Sequence, residues 1–269
     1  MGNNEKMNFK MLFITQDDPF YVRLFFEEFF KNYGSLNEIK GVVIAEAMGK
    51  KSLLALARQM YSFYGPFDFL KVGFKYMGYK LLTGFNGFWK NTKSYSLAQL
   101  CKSYGIKVEL EDDINSKKFL DYLKQMNLDL IVSVAAPLIF KKALIQLPRL
   151  GCINIHNAKL PKYRGMMPNF WQMYHDEKQM GITIHEINSK IDDGRIILQK
   201  EVQIEPNECL DSLIRRTKRI GAQYMIEAID KIKSGDIAYI ENDATEASYF
   251  SFPTRQDVRK FRAMGHKLL

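Results

Sequence analysis

The 269-residue chain has only three cysteines, Cys101, Cys152 and Cys209, and no two of them form a CxxC pair. That excludes a disulfide framework and a cysteine-based structural zinc site, and it fits a reducing cytoplasm. The four histidines lack the spacing of a zinc centre, so no metal is expected. No glycine occurs between Gly2 and Gly34, so the first strand is not followed by a glycine-rich phosphate loop. The opening MGNNEKMNFK has no apolar stretch of the kind a secretory signal needs. No run reaches the ~18 apolar residues of a membrane-spanning helix. Internal repeats and low-complexity tracts are absent as well.

What is present is an apolar fraction of 46%, enough for a full core, and a formal net charge of +9. Strand-like and helix-like segments alternate along most of the chain. Residues 10–15, 39–47, 106–110 and 128–136 read as strands, and 20–33, 95–105 and 115–127 as helices. A short helix over 139–147 and a strand from Gly151 follow. Residues 181–188 and 196–204 read as two strands, and 209–235 as a long amphipathic helix ending on Gly235. This rhythm predicts an α/β fold, a Rossmann-like, mostly parallel sheet with helices on both faces. Ligands of such sheets gather beyond the carboxyl ends of the strands, at the topological switch point. The chain is expected to divide into a main domain over 8–235 and a short C-terminal extension over 236–269.

Residues 48–94 break the rhythm. Between Lys50 and Lys93 eight basic residues face one acid, Asp68, and eleven of the 29 residues from Tyr61 to Trp89 are aromatic. One reading is an inserted helical pair that packs on the domain or makes a homodimer contact. Another is a basic amphipathic surface for an anionic membrane or a lipid-linked substrate, which would make the protein membrane-peripheral. Nucleic acid also suits interleaved aromatic and basic residues, but is not expected as the partner.

The stretch GCINIHNAKLPKYRG, residues 151–165, ends a strand-like run on Asn154 and His156. Alternation places these two on one side of the strand. Together with GITIHEINSKIDDGRIILQ, the pattern is an Asn-x-His strand end, a Leu-Pro-x-x-x-Gly turn, a Gly-x-Thr-x-His strand and an Asp-x-Gly turn. In that order it resembles the folate-dependent formyltransferases, the superfamily of the glycinamide ribonucleotide, methionyl-tRNA and amino-sugar N-formyltransferases. The resemblance covers roughly residues 100–235. It implies the formyltransferase fold, N10-formyltetrahydrofolate as co-substrate, and Asn154, His156 and Asp192 as the catalytic trio. It also implies folate contacts at Leu138, Ile139, Phe140 and Asp192, and an acceptor side built from Lys159, Tyr163, Arg164 and His185. Asn157-Ala158-Lys159-Leu160 stands where the family usually shows Pro-Ser-Leu-Leu, which should reshape the acceptor side.

The residue types suit the chemistry. Formyl transfer to an amine passes through an oxyanion, to which an Asn carboxamide can donate a hydrogen bond and beside which a His can move a proton. A carboxylate next to that His is expected to raise its pKa. The missing glycine loop argues against glycinamide ribonucleotide. With 34 residues after Gly235, a sizeable basic tRNA-binding domain is not expected. The expected acceptor is therefore a primary amine on an anionic, nucleotide-linked amino sugar, with Tyr249 or Phe250 as rings to stack on a base. A methionyl-tRNA-type enzyme and a lipid-linked amine remain the alternatives.

Overall fold

A computed structural model describes residues 9–18, 20–45, 53–85 and 96–269. In chain order the elements are β1 (Met11–Thr15), α1 (Val22–Asn32), β2 (Ile39–Ala45), α2 (Leu53–Phe85), α3 (Leu97–Ser103) and β3 (Val108–Glu111). There follow α4 (Lys117–Met126), β4 (Leu130–Val134), α5 (Lys142–Ile145), β5 (Cys152–His156), β6 (Arg164–Gly165) and α6 (Pro168–Tyr174). The last are β7 (Gln179–Glu186), β8 (Ile196–Gln203), α7 (Leu210–Ser234), β9 (Tyr249–Phe250) and α8 (Arg255–Ala263).

Seven strands form one sheet in the order β3-β2-β1-β4-β5-β7-β8. β1 to β5 run parallel, and β7 and β8 turn back antiparallel. Alternation along the strands feeds two cores. Phe13, Val132, Ile153 and Ile155 meet α1 and α7 on one face, where the Phe13 ring lies 5.3 and 5.0 Å from Phe26 and Phe29, edge-on. Leu12, Ile14, Ile131 and Cys152 meet Phe119 and Leu123 of α4 on the other. Each such buried side chain contributes roughly 1.5–3 kcal/mol. Helices on both faces follow from strands that are apolar on both sides.

The strand order reverses between β1 and β4, so the topological switch lies there. Asn154 and His156, on β5, stand beyond it rather than at it. The physical reason is that the parallel order continues outward from β4 to β5 before the antiparallel pair closes the sheet.

Within 48–94 the described part is α2, two helical segments meeting at Gly65, whose φ of 71° and ψ of 176° are non-helical. Pro66 opens the second segment, where its missing N–H costs nothing. Lys50, Lys51, Lys90 and Lys93 lie outside the described residues. Residues 236–269 pack onto the main core: Val258, Phe261 and Leu268 are buried in the same cluster as β1 and α7. Phe63 joins α2 to that core, its ring 5.8 Å from Phe170 and 5.4 Å from Phe252. Phe63→Ala should lower stability by about 3–5 kcal/mol in denaturant titration, and an unchanged midpoint would show that α2 is not anchored there.

Candidate active site

The pleat sets the site. On β5, Asn154 and His156 share the side of Cys152, opposite Ile153 and Ile155. The antiparallel register pairs Asn154 with His185 and His156 with Thr183 across β7. Residues facing one another this way have Cβ atoms about 4.5–5.5 Å apart. Asn154 Nδ2 accordingly sits 3.2 Å from His185 Nε2. The connection from β7 to β8 then carries Asp192 back over the pair.

The Asp192 carboxylate lies between the two imidazoles. Its Oδ2 is 3.6 Å from His156 Nδ1 and accepts the Gly165 N–H at 2.9 Å, while Oδ1 is 3.6 Å from His185 Nε2. The remaining ring nitrogens meet backbone carbonyls, which can only accept. His156 Nε2 therefore donates to Tyr163 O at 2.8 Å, and His185 Nδ1 donates to Glu186 O at 2.8 Å. Assigned from these partners, a neutral His185 accepts from Asn154 and a neutral His156 turns a bare Nδ1 toward Asp192.

Burial pulls the His156 imidazole below its ordinary value; the Asp192 carboxylate and the Tyr163 carbonyl oppose this without overcoming it. The expected upward shift is thus reversed, because burial removes more from the charged ring than one carboxylate returns. Burial alone would raise Asp192, but His156, His185 and the Gly165 N–H hold it well below the usual carboxylate range. The resting pair at neutral pH is a carboxylate beside a neutral ring.

Two of the motif glycines have steric reasons. A Cβ at Gly194 would come within 1.8 Å of Glu186 O, and one at Gly165 within 2.4 Å of Phe250 O. Either would push the Asp192 turn away from β7 or the Gly165 N–H away from Asp192. Tyr163 and Asp192 both adopt left-handed backbone, φ 61° and 51°, the former uncommon for so bulky a residue.

Arg164 is buried, pairing with Asp193 Oδ1 at 2.6 Å and Asn242 Oδ1 at 2.8 Å. Lys159 pairs with Glu201, and the Tyr163 hydroxyl donates to Glu177 at 2.7 Å. Lys159 and Tyr163 help line a cavity of about 590 Å³ that none of Asn154, His156, His185 or Asp192 borders. After β4, Ala135 takes φ 53°, and Asn115 pins the next turn through Ile139 O at 3.0 Å and Lys141 N at 2.8 Å. Phe140 is buried, Leu138 packs beside it, and the Ile139 side chain is exposed.

Sequence reasoning missed two residues. Asn242 Nδ2 donates to Asp192 O and Gly194 O, both at 2.9 Å, fixing the turn that carries the carboxylate. Lys218 of α7 is half-buried, and its charge acts on both His156 and Asp18. Burial lowers the Lys218 ammonium, with Asp18 opposing. No local signal marks Lys218, which sits among arginines of an amphipathic helix. Asn242 lies 50 residues from Asp192 in an aperiodic stretch.

Comparison with known proteins bears on the same segments. The Formyl transferase family matches residues 86–229. Methionyl-tRNA formyltransferase of Thermotoga maritima is 35% identical over 147 residues, 55% of this chain and 47% of that protein. The chain spans about half the length of the curated relatives it matches. Glycinamide ribonucleotide transformylase 1 of Symbiobacterium toebii superposes with a TM-score of 0.60 at 13% identity, covering 87% of this chain and 92% of that one. The N-formyltransferase of Helicobacter canadensis, solved with folinic acid and dTDP-3-aminofucose, does so with a TM-score of 0.55 at 18% identity, covering 93% and 72%. These two structures show a shared fold. The family match takes in more than half of the sequence, from just before α3 to most of α7, and on that ground the chain belongs to the formyl transferase family.

Proposed function

We propose that the protein is an N10-formyltetrahydrofolate-dependent N-formyltransferase whose acceptor is the primary amine of a nucleotide-linked amino sugar. The observation that carries the chemistry is the placement of His156 and His185 on either side of the Asp192 carboxylate, each at 3.6 Å, with Asn154 held 3.2 Å from His185.

The turn after β4 suits a pterin. Among the described residues no hydrogen bond engages the backbone of Leu138 or Phe140, so their polar groups are free for a ligand while Asn115 holds the loop in shape. Bound there, the folate supplies the formyl group. Asn154 uses one amide N–H on His185 and keeps the second for the formyl oxygen as it gains charge. The bare Nδ1 of His156 accepts the proton of the attacking amine, and Asp192 stabilises the imidazolium so formed. The same proton then passes to the departing nitrogen. A lowered histidine pKa suits this role, because the ring must begin neutral.

The acceptor reading is supported by Tyr249. The residue is 60% exposed and its ring lies against Gly165, whose N–H holds Asp192, so it can stack on a base beside the reacting groups. Phe250 is instead committed to stacking on Tyr163 and Trp171, at 5.5 and 4.8 Å. The similarity to methionyl-tRNA formyltransferases keeps an aminoacyl-tRNA acceptor as the second reading. In a formyl-transfer assay, turnover on a nucleotide-linked amino sugar and none on methionyl-tRNA supports the first reading, and the converse the second. No turnover on any amine removes both.

Asn154→Ala should lower kcat about 10²–10³-fold, the loss expected for one oxyanion donor; a change under tenfold would take Asn154 out of the chemistry. The sign of the pH dependence follows from His156. Its folded pKa is depressed, so below about pH 6.5 the unfolded chain binds more protons and stability falls with acidification. Asp192, depressed as well, adds a second loss only below about pH 3.9. Thermal unfolding between about pH 8 and 5 should show Tm falling on the acid side, with a flatter profile in His156→Gln. An equal slope in that variant would count against a buried neutral ring.

A further inference from the structure

The inward side of α2 is well held. Arg262 donates to Tyr64 O at 2.6 Å and pairs with Asp68 at 2.8 Å, Lys75 lies 3.9 Å from Asp211, and Phe20 packs against Tyr76 and Tyr79. The outward side is not. Phe67, Leu70, Phe74, Met77 and Leu81 are each between 53% and 81% exposed. Their spacing of three and four residues makes one continuous stripe along the second segment. At 100° per residue Lys71 flanks that stripe on one side and Lys80 on the other. The one acid in the described helix, Asp68, is already engaged by Arg262 and Lys71.

We propose that this face of α2 docks on an anionic lipid surface, lying along the headgroup boundary with the apolar stripe inward and the lysines at the phosphates. An apolar row between cationic flanks is the pattern of an interfacial helix, and long lysine stems let the charge stay in water while the stripe is buried. No helix among the described residues is long and apolar enough to cross a membrane, so the contact is peripheral. A two-fold contact with a second copy would set lysines against lysines with no free acid to meet them. Nucleic acid fits less well, because Leu70, Met77 and Leu81 offer no ring for a base. The inference does not rest on the acceptor assigned above.

The test is co-sedimentation of the full chain with phosphatidylcholine vesicles and with vesicles containing about one-third phosphatidylglycerol. Partitioning should be at least about tenfold stronger on the anionic vesicles and fall steeply with added salt. Phe74→Glu, at an exposed position where folding is untouched by circular dichroism, should abolish it. Lys71→Gln with Lys80→Gln should weaken it about tenfold or more. Binding indifferent to anionic lipid, or undiminished in Phe74→Glu, overturns the proposal. So does a dimer in light scattering that Phe74→Glu dissociates and that fails to bind vesicles, or nucleic-acid binding in place of vesicle binding.

Discussion

The Asp192 carboxylate is the group on which the rest of the site depends. A carboxylate removed from water is tolerated only where partners replace its hydration. Here one oxygen faces His156 and takes the Gly165 N–H, while the other faces His185. The partners are in turn fixed: His156 and His185 by backbone carbonyls, and Gly165 by a position where no side chain fits. Each of the four motif segments therefore delivers one element of a single electrostatic cluster.

The second constraint comes from the segment after α7. Asn242 grips the carbonyls of Asp192 and Gly194, Ser248 accepts the Tyr163 N–H at 2.9 Å, and β9 pairs with β6. The left-handed backbone at Tyr163 and Asp192 is held from this side. Strain of that kind persists only where surrounding contacts over-determine it, and residues 242–250 supply many of those contacts. They brace the turns that carry Tyr163 and Asp192.

The strands and most helices were legible in the sequence because their periodicity is local. The same-side placement of Asn154 and His156 is a period-2 property, and burial on both faces of β1 and β4 is written in unbroken apolar runs. The pairing of His185 with Asn154 is a register between strands 31 residues apart, and only the motif resemblance brought it forward. The direction of the His156 shift was misjudged because a sequence shows the carboxylate but not the depth of burial. Asn242 and Lys218 act through approaches that no periodicity encodes. In α2 the basic and aromatic content was open to view, but which side would remain uncovered depended on where Phe63 and Arg262 attach it.

The loop after β1 bears on the proposed acceptor. The absence of glycine there removes the backbone freedom that phosphate cradles use. The structure goes further, since Asp18 Oδ1 accepts the N–H groups of Phe20 and Tyr21 at 2.7 and 3.2 Å. Those amides are the donors an incoming phosphate would need, and they are already spent on a carboxylate. Burial raises the Asp18 pKa, with these two N–H groups and the Lys218 charge holding it down. Positive charge at this edge of the sheet thus comes from a half-buried side chain on α7 instead of from loop backbone. Among the described residues, the Phe20 and Tyr21 amides are therefore not open to an anion beside β1, and the proposed nucleotide-linked acceptor is one that does not need them.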